Sequence, residues 1–231
     1  MSNYTQNPQV KVVASFQELS ETPYSDQKNT ICWERKLEGD FNEIVDKLNL
    51  DEDITIITTD DLMELQLSTQ GDVARKIILS DIENLSNIGA QPTLNLLKAY
   101  ERDDVFDFIS TDVYSYHVDR SPVPTHTFLC TYFGAASDII RNEDVVQKIQ
   151  IPAVREQLKK YHSPEDGTFE EFLTEHFFDL HYQANEDAKP TNLGIGNLWR
   201  LAVDHPHQTV EPCVHRAPKE NPGEYRLLLI C

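Results

Sequence analysis

His117 and Asp119 stand one residue apart in YHVD, and His215 and Arg226 follow much later in CVHRAPKENPGEYRLLLI. Side chains at i and i+2 of a strand point the same way, so an imidazole and a carboxylate at that spacing can hold one divalent ion between them. They supply two protein ligands, and a third must come from elsewhere. His215 is the candidate. His205 and His207 in VDHPHQTV are rivals whose Pro-interrupted context suggests a loop. Cys213 shares a face with His215 if that strand is regular, which leaves a zinc site with a sulfur ligand open. Arg226 lies eleven positions after His215 and opens an otherwise apolar strand. An Arg there needs an anion, solvent, or a carboxylate such as Asp112 or Asp138. In a chain with eight histidines a His-x-Asp pair also arises by chance. Read plainly, the pair is a strand-end ion pair and His215 a satisfied core histidine. The ordered set carries more: two histidines and one carboxylate make a facial triad that leaves adjacent metal positions free. His176 and His181 in EHFFDLH are five apart, not the four that places two ligands on one helical face.

These residues need strands to present them. Residues 108–133 hold two β-branched and aromatic runs separated by the Pro-containing segment 120–124, which reads as two strands and a short loop. Regular alternation would put Ile109, Thr111, Val113, Ser115, His117 and Asp119 on one face. The stretch 218–223 is a turn by composition. If the strands around it are antiparallel neighbours, His215 and Arg226 project into one interior. Further strands are expected at 29–37, 54–59, 93–100 and 193–203. Asp40 is placed to cap a helix carrying Phe41, Ile44, Val45 and Leu48 at helical spacing. Val73, Ile77, Ile78, Ile82, Leu85 and Ile88 form a longer apolar stripe that Gly89 is placed to end. Residues 138–190 are charged and helical in pattern, with Ile149, Val154, Leu158, Phe169, Phe172, Leu173 and Phe177 recurring at helical intervals. Residues 1–30 read as a polar, loosely attached arm. The remainder, 31–231, reads as one domain. It has a mixed helical front at 31–91, a β core at 92–137 and 191–231, and a helical insert at 138–190.

The chain has 231 residues, 39% of them hydrophobic, and a formal net charge of −19. That charge disfavours nucleic acid and anionic membrane surfaces as general partners. No apolar run approaches the length of a membrane span, and the start lacks a signal-peptide pattern. Cys32, Cys130, Cys213 and Cys231 are far apart, without a Cys-x-x-Cys pair. They read as reduced and mostly buried, and the expected location is cytoplasmic. The acidic runs 51–53 and 101–104 read as solvated loops.

The central motif and the tail resemble those of iron(II)- and 2-oxoglutarate-dependent oxygenases. The residue pattern reads as an α+β, β-rich sandwich or barrel with flanking helices and a helical insert, and the resemblance implies that it is a double-stranded β-helix, jelly-roll or cupin-like. The resemblance also implies iron on His117, Asp119 and His215, and the distal carboxylate of 2-oxoglutarate on Arg226. Thr111, Thr127 and Tyr225 are candidates to complete the hydrogen bonding of that cosubstrate. The segments TICWERKL, YHVDRSPVPTHTFLCTYFG and CVHRAP…YRLLLIC are also similar to the uncharacterised bacterial domain family 1826, from about residue 29 onward. The expectation is a dioxygenase acting on a small molecule or a protein side chain. The alternative is a non-catalytic, cupin-like protein that binds zinc or serves as an interaction module.

Overall fold

The computed structural model describes residues 3–25, 27–48, 52–163, 165, 167–219, 221 and 223–231. Asp51 of the expected acidic run, and Glu220 and Pro222 of the expected turn, lie outside the described residues. The strands are β1 (Val10–Val13), β2 (Thr30–Trp33), β3 (Ile54–Ile57), β4 (Thr93–Leu97), β5 (Tyr116–His117), β6 (His126–Phe133) and β7 (Asp138–Ile139). They continue with β8 (Val145–Gln147), β9 (His181–Ala184), β10 (Thr191–Asn192), β11 (Leu198–Ala202), β12 (His215–Arg216) and β13 (Arg226–Ile230). The helices are α1 (Phe16–Glu21), α2 (Phe41–Lys47), α3 (Thr59–Glu64), α4 (Thr69–Asn87), α5 (Pro152–Leu158) and α6 (Phe169–Glu175).

The strands build two curled, mainly antiparallel sheets, which makes the protein α+β and sheet-rich. The larger runs β1-β2-β11-β6-β13-β4-β3 and the smaller β10-β7-β12-β5-β9-β8. From β4 to β7 successive strands alternate between the sheets, and from β10 to β13 they do so again. The alternation of side chains assigns each face. On the larger sheet Leu94, Leu96, Phe128, Cys130, Tyr132, Leu227 and Leu229 pack under α1–α4 with Leu19, Ile44, Leu62, Ile78 and Leu85. The intervening residues Leu97, Leu129 and Leu228 turn to the smaller sheet, where they join Trp199, Ile139 and Cys213. The outer face of the smaller sheet buries Tyr116, Val118, Ile140, Leu180 and Val214.

The two helices expected in the front portion form as α2 and α4, though Val73, Ile77 and Ile82 of the expected α4 stripe are only partly buried. The Asp40 side chain accepts from the Glu43 amide at the start of α2, and Gly89 follows α4 at φ 85°. The inward stripe of α4 is Gly71, Ala74, Ile78, Asp81 and Leu85, while Ile88 is exposed. Asp81 sits in that apolar row because Arg35 donates to both of its oxygens and the Tyr132 hydroxyl donates at 2.7 Å.

Four expectations need correction. The N-terminal segment is no loose arm: β1 pairs with β2 in parallel, and Tyr4 and Leu19 are buried. Residues 138–190 are not a purely helical insert, because they contain β7, β8 and β9 of the smaller sheet as well as α5 and α6. Residues 108–115 form no strand. Asp112 accepts from the amides of Tyr114 and Ser115, and Asp103 accepts from the amide and hydroxyl of Thr111. Such local bonds replace a sheet ladder. Finally, β12 and β13 are not hydrogen-bonded neighbours; they belong to opposing sheets.

Candidate metal centre and its cavity

A two-residue strand positions both halves of the His-x-Asp pair. β5 lies between β12 and β9, with His117 in register with His215 on one side and His181 on the other. Tyr116, Val118 and Val214 bury themselves in the outer core, so alternation sends His117, Asp119 and His215 to the inner face. The segment is held beyond β5 as well. The Val118 amide donates to Leu180, the Asp204 amide donates to the Asp119 carbonyl at 2.8 Å, and Arg120 bridges Asp179 and Asp204 at 2.7 Å each.

The result is a three-donor cluster. His117 Nε2 lies 3.9 Å from Asp119 Oδ1 and His215 Nε2 lies 3.6 Å from Asp119 Oδ2, with the two imidazole centroids 4.4 Å apart. All three ligand atoms fall within 4.8 Å of one another. Donors about 2.1 Å from one ion are separated by about 3 to 4 Å, so these spacings fit a single divalent cation. The protonation states fit too. His117 Nδ1 donates to the Ser115 carbonyl at 2.8 Å and His215 Nδ1 to the Cys213 carbonyl at 3.2 Å. A carbonyl can only accept, so each neutral ring carries its proton on Nδ1 and turns the Nε2 lone pair to the cluster. Burial, then the neighbouring His215, push the His117 pKa down to about 4, which keeps that ring neutral near pH 7. Burial works against ionisation of Asp119, but His215, a hydroxyl bond from Thr127 and His117 outweigh it and hold the carboxyl below its usual range.

The cluster opens into a cavity of about 280 Å³ between the sheets, and Arg226 lines the same cavity from the opposing sheet. Arg226 and His215 therefore face one interior, as expected, although across two sheets. Gly134 allows the close approach of this strand, since a Cβ there would meet the Tyr225 carbonyl oxygen and come within 2.9 Å of the Arg226 Cα. Arg226 is 7% exposed, and its Nη2 donates to the hydroxyls of Thr131 at 3.1 Å and Ser137 at 2.9 Å. Its Nε is buried with no partner among the described residues. Neither expected carboxylate reaches it. Asp138 pairs with Arg216, and Asp112 is occupied by backbone amides. Burial lowers the Arg226 pKa and Tyr100, another lining residue, opposes the shift.

The remaining candidates separate. Thr127 belongs to the site, but as the donor to Asp119 Oδ2. Thr111 spends its hydroxyl on Asp103, and Tyr225 is 39% exposed and does not line the cavity. His205 and His207 sit together at a turn, where the His207 amide donates to His205 Nδ1. Cys213 receives the Thr30 hydroxyl at 3.1 Å, and burial pushes its thiol up to about 12. It is not one of the three clustered donors. Sequence reasoning missed Thr131 and Ser137, whose only signal is a hydroxyl on an inward position, and Tyr100 in the β4–β5 connection.

No protein-family model matches the chain, and neither a curated protein nor a solved structure does. Among the described residues no helix is long and apolar enough to cross a membrane.

Proposed function

We propose that the protein is a non-haem iron(II)- and 2-oxoglutarate-dependent dioxygenase whose two sheets form a double-stranded β-helix. The strand order supports the fold reading. β4, β13, β6 and β11 are consecutive in one sheet, β5, β12, β7 and β10 in the other, and the chain crosses between them at nearly every step. This crossing supports the winding of a double-sheet jelly roll, with β8 and β9 extending the smaller sheet.

The observation that carries the activity is Arg226. A buried guanidinium that among the described residues bonds only to neutral hydroxyls, with its Nε unpartnered there, is a site prepared for an anion. It shares its cavity with the two imidazoles and the carboxylate. That combination suits a ligand with an oxo-acid end for the metal and a distal carboxylate for the arginine, which is the form of 2-oxoglutarate. His117, Asp119 and His215 would hold the iron, and Thr127 keeps the Asp119 carboxylate oriented. Arg226, aided by Thr131 and Ser137, would fix the far end of the cosubstrate. Iron held there would supply oxygen activation, coupled to oxidative decarboxylation of 2-oxoglutarate to succinate.

The test is anaerobic addition of ferrous iron and 2-oxoglutarate to purified protein. A visible metal-to-ligand charge-transfer band, followed in air by succinate, is expected. In Arg226→Met the metal should still bind while the affinity for 2-oxoglutarate falls at least 100-fold. Absence of the band, or unchanged 2-oxoglutarate affinity in the variant, would end the proposal. Tight zinc retention without 2-oxoglutarate binding would favour a metal-binding protein instead.

A further inference from the structure

The triad and Arg226 occupy the polar part of the cavity; the other walls differ in character. Ile54, Leu97, Val113, Leu228 and Ile230 present aliphatic side chains to it. Among the described lining residues no charged group occurs besides the three clustered donors and Arg226. The wall amide of Asn95 donates to the Thr93 carbonyl at 3.1 Å, and the Ser137 hydroxyl is held by Arg226. The aliphatic surface also continues outward. Ile54 is 40% exposed and Ile56, two residues on and on the same face of β3, is 64% exposed. The volume of about 280 Å³ sits just below the roughly 300–1,000 Å³ usual for a pocket that takes in a whole small molecule. A dicarboxylate cosubstrate already takes a share of it.

We propose that the group oxidised at this site is a short, uncharged aliphatic group, inserted past Ile54 while the rest of its carrier stays outside. The inference rests on the dioxygenase reading above. A charged group entering between these walls would lose its hydration and find no free opposite charge among the described lining residues, because Arg226 is committed to the cosubstrate and the Tyr100 hydroxyl is neutral. The reaction replaces one aliphatic C–H bond by C–OH. One atom of dioxygen enters the product, and the other enters succinate as 2-oxoglutarate loses carbon dioxide.

The test is a binding measurement on zinc-loaded protein saturated with 2-oxoglutarate, with Ile and Leu methyls labelled for NMR. Three probes share one branched chain: 3-methylbutan-1-ol, 3-methylbutan-1-amine and 3-methylbutanoate. The alcohol is expected to move the Ile54, Leu228 and Ile230 methyl signals and to bind at least tenfold tighter than either ion. Ile54→Asp is expected to reverse the order in favour of the amine. Ions binding as tightly as the alcohol, or an alcohol that leaves those methyls unmoved, would overturn the inference. Failure of the underlying reading is separately visible. If 2-oxoglutarate alone produces no shifts that Arg226→Met removes, the dioxygenase reading falls and this inference falls with it. If those shifts are present and the alcohol is silent, only the inference falls.

Discussion

At the scale of single residues, the clearest division of labour is between Asp119 and Thr127. The carboxylate faces two imidazoles and takes a hydroxyl bond from the next strand. Partners that orient a ligand typically influence metal affinity by about 10- to 100-fold. Thr127→Val is therefore expected to weaken binding of a divalent ion by about tenfold or more, measured by competition with a chromophoric chelator, with an unchanged circular dichroism spectrum. Arg226 gives a less intuitive expectation. An interior cation without a counter-ion opposes folding of the ligand-free protein. The ligand-free Arg226→Met protein should thus melt at or above the wild-type temperature. It should also lose the added stability, about 2.7 kcal/mol at 100 times Kd, that 2-oxoglutarate confers on the wild type. A lower ligand-free melting temperature in the variant would contradict this. His117, Asp119, His215 and Arg226 were legible because their types are rare in apolar strands, and His117 and Asp119 because they stand two positions apart. Thr131 and Ser137 were not, since a small hydroxyl in a strand is equally at home on either face.

At the scale of elements, α4 is fastened to the larger sheet by something other than apolar contact alone. Arg35, just after β2, grips Asp81 of α4, and Tyr132 of β6 completes the carboxylate. Both charged side chains are close to fully buried. Removing one partner strands the other charge, at a cost of about 3–5 kcal/mol, whereas replacing both by apolar groups of similar volume is often near neutral. Asp81→Asn should lower the unfolding free energy measured by urea denaturation by that amount, and the double variant Arg35→Met with Asp81→Leu should recover most of it. An additive loss in the double variant would show that the pair itself stabilises the fold. The stripe on α4 was readable from its period, but Asp81 within it was not, because its partners come from residues 46 and 51 positions away. Likewise the alternation in residues 108–115 resembled a strand. Asp103 and Asp112 instead tie that backbone into turns, and short-range periodicity carries no trace of such side-chain competition.

For the whole molecule, charge and burial set the response to acid. His117 and His126 have their pKa pushed down to about 4 and His181 to about 3, in each case mainly by burial, against an ordinary value of 6.5. Between about pH 6.5 and 4 the unfolded chain binds protons that the folded chain refuses, so stability falls as pH falls through that window. Metal-free protein should lose melting temperature steadily from about pH 6.5 downward, and His126→Phe should flatten the slope; a melting temperature constant to pH 4.5 would refute this. Asp103 and Asp119 have depressed values and lose their contribution only at lower pH. Composition alone conveyed none of this, nor that Val10–Val13 joins the sheet, because so short a strand is recognised only beside its partner β2. The position of β13 has a last implication. It is the latest strand in sequence, yet it is wedged between β4 and β6 and brings Arg226 with it. During synthesis, then, the larger sheet stays split in two until residue 230 has emerged from the ribosome. A chain without β13 leaves facing edges of β4 and β6 unpaired and brings no Arg226 to the cavity.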